Sequence, residues 1–344
     1  MKFDIPPTIK DVARFANVST ATVSRVLNDS GPVSGETRAK VQQAIEALKY
    51  DSQRPRKKTT DIPWFVIMTE SIQDLFFSEV IAGIYHRAMD EKIYPLILEM
   101  PTNKAEQYKM LKQIKCLPVI GIFAAGFFQS PQDWVDFYDE IRVPIVVMNT
   151  LVHHPKITSI NVNFEESTYR ATQHLLNLNH TRIAYIGVSD YEDFSLSEFR
   201  GVERALKDAG FQYPEEFKIS VSRTPEGAYQ GISQLMMLPP EERPTAIYAF
   251  DDELAIYAIN SIQHFGLRIP EDISIIGFDN IRMAVHTNPP LTTVHITKRR
   301  IGRQAVHLIN QLLENEGKEL GFTFVDGSLN VRGSTGPAPQ ANKV

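Results

Sequence analysis

From Ile62 onward the chain alternates short apolar runs with amphipathic helical patterns, and this alternation constrains the fold more than any other feature. The apolar runs lie at 64–68, 95–98, 119–123, 145–148, 159–162, 183–187, 246–250 and 273–278, and the helical patterns at 77–92, 105–116, 165–178, 197–210, 225–238 and 253–265. Buried strands that alternate with helices are typical of parallel sheets covered on both faces. Since the series restarts near residue 159, it predicts two doubly wound α/β lobes with a ligand cleft at the carboxyl ends of their strands.

Length and composition agree with that architecture. The 344 residues are too many for one ordinary core, and a hydrophobic share of 43% supplies enough apolar surface for several domains. No apolar run is long enough to span a membrane, and Met1 to Lys10 lacks the apolar stretch of a secretory signal. The single cysteine, Cys116, excludes a disulfide framework and a cysteine-built metal site. We therefore expect a cytoplasmic protein.

Charge is distributed unevenly along the chain. Residues 1–60 hold 11 Lys and Arg against 6 Asp and Glu, a formal charge of +5, and the remaining 284 residues hold 25 bases and 35 acids, a charge of −10. The whole-chain charge of −5 conceals this asymmetry, which is typical of a nucleic-acid-binding end on an acidic body. A solvated basic tail is the alternative interpretation.

The basic segment favours three short helices, over 9–16, 19–27 and 35–49. Thr8 and Ser19 are suited to cap the first two helices, and Ser34 precedes the third. Asn17 tolerates the left-handed conformation that a tight turn between the first two helices needs. The third helix has an apolar face made of Val41, Ala44, Ile45 and Leu48.

Two short helices joined by a tight turn and covered by a third define a helix-turn-helix unit, whose second helix reads the DNA major groove with its first residues. The residues predicted at the base edges are Thr20, Ala21, Ser24 and Arg25. Arg25 can donate two hydrogen bonds to guanine, and Ala21 or the methyl group of Thr20 can contact a thymine methyl. The candidates for phosphate contacts are Thr8, Ser19, Thr22 and Asn28. Capping alone is the alternative role for Ser19 and Thr22.

Several motifs resemble the lactose-repressor/galactose-repressor family of bacterial transcriptional regulators. In the head they are Thr8-Ile9-Lys10-Asp11-Val12-Ala13-Arg14 and Val18-Ser19-Thr20-Ala21-Thr22-Val23-Ser24-Arg25-Val26-Leu27-Asn28. In the body they include Asn179-His180-Thr181-Arg182-Ile183-Ala184-Tyr185-Ile186-Gly187, Ile269-Pro270-Glu271-Asp272-Ile273-Ser274-Ile275-Ile276-Gly277-Phe278-Asp279 and Pro290-Leu291-Thr292-Thr293-Val294. The resemblance extends from residue 8 to about residue 333.

The resemblance implies a helix-turn-helix domain at 1–50, a basic linker at 51–61 and an effector-binding and dimerisation domain at 62–340. Within that domain it implies a first lobe over about 62–160 and 291–321 and a second over about 161–290 and 322–340. The implied function is a DNA-binding regulator, expected to be a repressor of a carbohydrate-uptake or catabolic operon. It would bind an inverted-repeat operator as a homodimer and respond to a sugar-like effector in the cleft between the lobes.

The linker departs from the family pattern. In the family this stretch forms a hinge helix on DNA and carries a leucine that wedges into the minor groove and kinks the duplex. Here the wedge position falls near Thr59, and Pro55 lies where the short helix would run. We expect the basic residues to hold phosphates or the minor groove without a wedge, with weak bending and steep salt dependence; they are Arg54, Arg56, Lys57 and Lys58. A merely solvated linker is the alternative.

The candidate effector residues follow by carry-over. Asp279 matches the family's strand-end carboxylate that accepts ligand hydroxyls, and Phe76 and Phe77 match positions that wall or stack on the ligand. Where the family usually has an arginine this chain has Glu198, with Arg200 two residues later. The family's Asn-Asp pair is Asp251-Asp252 here, and its aromatic platform falls near Ser222.

These departures predict an acidic cleft, which disfavours phosphorylated or carboxylate effectors and suits a neutral polyol or a cation. A neutral sugar or polyol is the expected partner. The alternative for Asp251 is a helix cap, and for Glu198 a position on a solvated helix face.

Other functional classes find little support in the sequence. The nine histidines show no metal-ligand spacing, and His180 matches a family residue more suited to structure than to ligation. The phosphate-binding loops Gly-x-Gly-x-x-Gly and Gly-x-x-x-x-Gly-Lys are absent after a strand. We expect no cofactor and no enzymatic activity, because no nucleophile or metal set accompanies the carboxylates. A solute-binding protein without regulatory DNA binding is the competing function.

Overall fold

The structure, a computed structural model, describes residues 9–28, 30–48, 63–101, 103–114, 117–125, 130–189, 191–314 and 317–340. The chain divides into two compact units, Met1–Asp61 and Ile62–Val344. Thr8 and the four basic linker residues Arg54, Arg56, Lys57 and Lys58 lie outside the described residues.

The first unit contains three helices, α1 (Ile9–Phe15), α2 (Thr20–Asn28) and α3 (Gly35–Ala47). Asn17, in the turn between α1 and α2, has a φ of 53°, the left-handed conformation that the sequence indicates. Ser34 caps α3 by accepting a hydrogen bond from the Thr37 amide at 3.2 Å. The three helices bury a small common core of Val12, Ala13, Ala16, Val23, Val26, Val41 and Ala44.

The second unit alternates strands and helices along the chain. Its first half contains β1 (Trp64–Thr69), α4 (Leu75–Asp90), β2 (Tyr94–Glu99), α5 (Lys104–Ile114), β3 (Val119–Ala125), α6 (Pro131–Ile141), β4 (Ile145–Met148) and β5 (Ile157–Val162). Its second half contains α7 (Phe164–Asn177), β6 (Ile183–Val188), α8 (Glu192–Asp208), β7 (Lys218–Val221), α9 (Pro225–Met236), β8 (Ala246–Ala249), α10 (Asp252–His264), β9 (Ser274–Asp279), β10 (Thr292–His295), α11 (Lys298–Glu314), β11 (Phe322–Val325) and β12 (Ser328–Asn330).

Two six-stranded sheets organise this unit into two lobes. The first has the order β11-β5-β4-β3-β1-β2 and the second the order β12-β10-β9-β8-β6-β7. All pairs in the first sheet are parallel, whereas β12 pairs antiparallel with β10 at the edge of the second. The prediction of two doubly wound lobes is confirmed, with this antiparallel edge strand as the exception.

The chain passes between the lobes at slightly different places from those expected. β10 pairs with β9, so residues 292–295 belong to the second lobe and the return to the first follows them. β11 pairs with β5, so residues 322–325 belong to the first lobe. β5 (Ile157–Val162) also lies wholly in the first sheet. The approximate lobe limits expected at 160/161, 290/291 and 321/322 therefore differ from the structure by a few residues, because all three crossings follow a strand.

Helices α4 and α11 approach closely in the first lobe. A Cβ atom built on Gly83 would lie 2.3 Å from the Arg299 carbonyl oxygen, and one on Gly302 would lie 2.1 Å from that of Val80. Only glycine allows two helix backbones to approach this closely. This contact fixes α4, which begins directly at the cleft.

His180 has a structural role, as its interpretation from the sequence indicates. It is fully buried, and its two ring nitrogens hydrogen-bond Thr245 Oγ1 and the Gly336 carbonyl oxygen, each at 2.9 Å.

Across the described residues, none of the helices combines the length and apolar character needed to cross a bilayer.

Candidate functional site

The first candidate surface is the beginning of α2. Thr20, Ala21 and Arg25 are exposed there, and Thr22 and Ser24 are partly exposed. Ser19 Oγ accepts the Thr22 amide at 3.1 Å and lies 2.8 Å from Thr22 Oγ1, so its capping role is present. Asn28 ends the helix, and its side chain lies outside the described part. The exposed start of α2 therefore presents side chains of the kind that read base edges.

The second candidate site is a cleft between the two lobes, with about 560 Å³ of empty space, part of which is open to solvent. Its residues lie at or just after the carboxyl ends of β1, β4, β5, β6, β7, β8 and β9, the edge at which such sheets bind ligands. The lining side chains are Asp74, Phe76, Phe77, Asn149, Phe164, Tyr191, Phe194, Glu198, Arg223, Phe250, Asp251, Phe278 and Asp279.

Asp74 positions the first-lobe wall of the cleft. It is the N-cap of α4, and its Oδ1 accepts the amides of Phe76 and Phe77 at 2.8 and 3.0 Å. This cap sets the entry of α4, so both aromatic rings line the cleft, 5.3 Å apart in an edge-to-face arrangement.

Arg223 joins the two lobes across the cleft. Its guanidinium lies 3.2 Å from Asp74 Oδ2 in the first lobe, and 2.8 and 2.9 Å from Asp251 Oδ2 and Glu253 Oε2 in the second. Its side chain is 21% exposed and that of Asp74 is 14% exposed, so the pair is screened only partly by solvent. These contacts hold the arginine in its ionised form, and its pKa is raised further by Asp251 and Asp74 despite burial.

Glu198, on α8, is 1% exposed and lines the cleft. Burial raises the pKa of its carboxyl well above the ordinary value, and the neighbouring charges of Asp279 and Asp251 raise it further. Tyr185 Oη lies 3.3 Å from Glu198 Oε2. The alternative interpretation, a solvated helix face, was wrong because this position faces the cleft.

Asp279 ends β9 in a strained conformation, with a φ of 101°. Its backbone carbonyl accepts a hydrogen bond from the buried Lys298 Nζ, which also lies 3.4 Å from the Asn280 carbonyl oxygen. Burial raises the pKa of the Asp279 carboxyl well above its ordinary value, although Lys298 opposes this. Since Lys298 begins α11 of the first lobe, it also ties the lobes together.

Asp251 and Asp252 have separate roles. Asp251 caps α10, as its alternative interpretation held, because Oδ1 accepts the Leu254 amide at 2.7 Å while Oδ2 binds Arg223. Asp252 lies behind the cleft, where Oδ2 accepts the Ile281 amide at 2.7 Å and Oδ1 accepts the Thr293 hydroxyl. Burial raises the pKa of Asp251 to about 6 and that of Asp252 to about 7.

Aromatic rings form most of the remaining cleft wall. Phe164 packs 5.5 Å from Phe194 and 5.6 Å from Phe278, and Tyr191 and Phe250 are nearly parallel at 6.2 Å between centroids. Together with Phe76 and Phe77 they supply broad apolar faces around the carboxylates.

The structure brings together five of the six candidate effector residues, Phe76, Phe77, Glu198, Asp251 and Asp279. Arg200 is the exception: it is exposed and lines a separate surface hollow with Arg204 and Lys207. On α8 it lies two residues from Glu198, about 200° around the helix, so the two side chains point apart.

Sequence reasoning missed the residue that supplies the positive charge. Arg223 follows Ser222, where the family's aromatic platform was placed, and nothing local distinguishes it from a surface arginine. The sequence also does not distinguish Asp74 or the second-lobe aromatic residues from surface or core residues of the same types.

Within the described part of the chain, no group of three or more His, Cys, Asp or Glu side chains could hold a metal ion.

A helix-turn-helix unit on the same chain as a two-lobed body with a cleft between its lobes defines a class, the ligand-responsive DNA-binding regulator. Comparisons with known proteins agree with this class. The profile of "Bacterial regulatory proteins, lacI family" matches residues 8–53, and that of "Periplasmic binding protein-like domain" matches residues 172–335.

Two relatives match along most of the chain. The chain is 32% identical over 315 residues to the HTH-type transcriptional repressor PurR of Aliivibrio fischeri strain MJ11, covering 91% of this chain and 93% of the relative. It is 33% identical over 319 residues to PurR of Vibrio cholerae serotype O1 strain M66-2, with coverage of 91% and 93%.

Solved structures show the same fold. The lac repressor dimer bound to operator and the anti-inducer ONPF superposes with a TM-score of 0.70 at 24% identity, covering 96% of this chain and all of that one (100%). The complex of the transcriptional regulator CelR with cellobiose gives a TM-score of 0.69 at 24% identity, covering 95% of this chain and 99% of that one.

The PurR relatives and the lacI-family profile together show that the chain belongs to the LacI/GalR family and is a DNA-binding transcriptional repressor of that family.

Proposed function

We propose that this repressor controls a carbohydrate-uptake or catabolic operon and responds to a sugar-like effector, rich in hydroxyl groups, that binds between the lobes. The cleft carries the proposal: carboxylates at its centre accept hydrogen bonds from hydroxyl groups, and aromatic rings around them cover the apolar faces of a small ring.

The same carboxylates argue against an anionic effector. A phosphate or carboxylate group would meet Glu198 and Asp279, and the one guanidinium lining the described cleft, that of Arg223, is already bonded to three acids. We therefore infer an effector without negative charge.

The DNA partner is proposed to be an inverted-repeat operator bound by a homodimer, since two-fold symmetric sites mirror two-fold symmetric proteins. Thr20, Ala21, Ser24 and Arg25 would read the bases. Ser19, Thr22, Thr8 and Asn28 would contact phosphates. The basic linker residues Arg54, Arg56, Lys57 and Lys58 would add phosphate or minor-groove contacts without a wedge.

Coupling between effector and DNA would use the two lobes as the switching element. A ligand can shift a two-state equilibrium only if it binds one state more tightly. Residues of both lobes line the cleft, and Arg223 and Lys298 cross between them. Effector binding would therefore favour one lobe arrangement over another.

The test has two parts with the same protein. Selection from a random duplex pool should enrich an inverted repeat, and substitution of Arg25 by alanine should abolish the enrichment. A panel of sugars and polyols should then raise the melting temperature of the chain, and a stabilising compound should change operator affinity. Enrichment of no sequence would refute the regulatory function and favour the competing solute-binding function.

A further inference from the structure

An effector without negative charge can be neutral or cationic, and the charges around the cleft distinguish the two. Within or directly behind the described cleft lie six carboxyl groups, Asp74, Glu198, Asp251, Asp252, Glu253 and Asp279. The cations interacting with them there are Arg223 and Lys298. The carboxyl groups outnumber these two cations by four, and ionisation of Glu198 and Asp279 together requires positive charge that the described residues do not supply.

Neither cation compensates Glu198. The Arg223 guanidinium is bonded to Asp74, Asp251 and Glu253. Lys298 Nζ is bonded to backbone carbonyl oxygens of Asp279 and Asn280, and it lowers the pKa of Asp279 rather than that of Glu198.

The hydrogen bonding of Glu198 is also incomplete. The only donor near its carboxyl group in the described part of the chain is the Tyr185 hydroxyl, at 3.3 Å. That hydroxyl has a single hydrogen and lies closer, at 2.9 Å, to the Ser195 carbonyl oxygen. If the Tyr185 hydroxyl donates its hydrogen to the Ser195 carbonyl oxygen, it can at most share that hydrogen with Glu198. An ionised Glu198, which is only 1% exposed, would then be poorly compensated by hydrogen bonds.

Asp279 presents a second carboxyl group to the same cavity. Among the described residues no side chain or amide donates a hydrogen bond to its carboxylate, and its charge raises the pKa of Glu198, so the two groups interact electrostatically. Hydroxyl groups would supply donors to both acids, but they would add no positive charge to offset the repulsion that opposes ionisation of both acids.

The walls of the cavity suit an organic cation rather than a metal ion. Seven aromatic rings line it, and ring faces attract ammonium groups. The acids of the described chain do not converge as a metal-ligand set.

We propose that the effector carries a protonated amine, as an amino sugar or amino polyol does, and that Glu198 and Asp279 bind this ammonium group. The inference rests on the proposed function, since it assigns the charge of the effector in that same cleft. Glu198 is then the residue that determines specificity for amine over hydroxyl.

The experiment compares matched pairs of compounds on the full chain by calorimetry and thermal shift. The pairs are glucosamine and glucose, galactosamine and galactose, and ethanolamine and ethylene glycol, at millimolar concentration. In at least one pair the amine should bind at least about tenfold more tightly than its hydroxyl counterpart. Glu198→Gln should remove that preference, so that the ratio of amine affinity to hydroxyl affinity within the pair falls to about one. The matched control is Glu203→Gln, an exposed acid on the same helix, which should keep the preference.

Three results would overturn the proposal: neutral compounds that bind as well as or better than the amines in every pair, an amine preference that survives in Glu198→Gln, or no binding by any amine. A neutral sugar that binds and alters operator affinity would overturn this inference alone and leave the proposed function standing. Loss of sequence-specific DNA binding would instead refute the proposed function.

Discussion

The ion pair between Arg223 and Asp74 should hold the two lobes together in the absence of effector. Asp74→Asn removes the charge, but its remaining side-chain oxygen still caps α4, because asparagine is as good a cap as aspartate. Arg223→Met removes the guanidinium and keeps an unbranched side chain of similar length. The two variants and their combination form a double-mutant cycle.

The structure sets the expected magnitude. At an effective dielectric constant of about 20, charges about 4 Å apart attract by about 4 kcal/mol, before desolvation is subtracted. Exposed pairs contribute about 0.5 kcal/mol, and breaking a fully buried pair costs about 4 kcal/mol. With side chains 14% and 21% exposed, this pair lies between these limits, and we expect a coupling energy of about 1–2 kcal/mol.

Two measurements check this expectation. Urea unfolding followed by tryptophan fluorescence reports on the first lobe, because Trp64 and Trp134 both lie there, and it yields the coupling energy. Small-angle scattering should show a larger radius of gyration for Asp74→Asn without effector, since about 1.4 kcal/mol shifts the ratio of closed to open forms about tenfold. Glu253→Gln is the control, because it removes a contact of the same arginine within one lobe.

Additive effects in the cycle would show that the pair contributes no coupling. Scattering curves that are identical for Asp74→Asn and wild type would show that the pair does not hold the lobes. Either result would refute the reasoning.

Three further predictions concern other parts of the molecule. Gly302→Ala should lower the free energy of unfolding by about 2 kcal/mol, because its Cβ would lie 2.1 Å from the Val80 carbonyl oxygen; a variant as stable as wild type in urea would contradict the α4–α11 contact. Asp252→Asn should gain stability relative to wild type as the pH rises from about 4 to about 7. Burial raises the pKa of Asp252 from 3.8 to about 7, so between these pH values the folded state keeps a proton that the unfolded chain has released. The stability of the wild type therefore falls as the pH rises through this window. If the melting temperatures of wild type and variant changed with pH in parallel between about pH 4 and about pH 7, this prediction would be contradicted. Replacing the four basic linker residues by serine should reduce the slope of log affinity against log salt by up to about 4 per protomer, and circular-permutation assays of the wild type should show little central bending; an unchanged slope or a strong kink would contradict the linker proposal.

The fold was largely predictable because its determinants are local and periodic. The apolar run 145–148 coincides with β4, and Asn17 and Ser34 marked the turn and the third helix of the head. α6 was missed, since its pattern Pro131–Ile141 mixes acids and aromatic residues within a short segment. β7 was missed because it has only four residues and alternates exposed and buried positions, so it contains no apolar run.

The elements beyond residue 280 were also missed as elements. α11 is strongly amphipathic, but β10, β11 and β12 have only three or four residues each. Strands this short are defined by the neighbour with which they pair, and that partner lies far away in the sequence.

The site was predictable only where a motif carried it. Asp279, the Phe76–Phe77 pair, Asp251 and Glu198 were all predicted from positions matched to the family, and the structure places them at the cleft. Arg223 could not be found, because its role depends on three acids from two lobes that only the tertiary structure brings together. Arg200 was wrongly included because proximity in sequence was taken for proximity in space.

We propose that occupancy of the cleft controls DNA binding by the head. It is tested most directly by a fluorescence-anisotropy titration of the selected inverted repeat with the full chain, with and without a compound that calorimetry shows to bind. We predict that the compound changes operator affinity at least about tenfold in the wild type and leaves it unchanged in Asp279→Asn. An operator affinity that stays constant while the cleft is saturated would contradict the account.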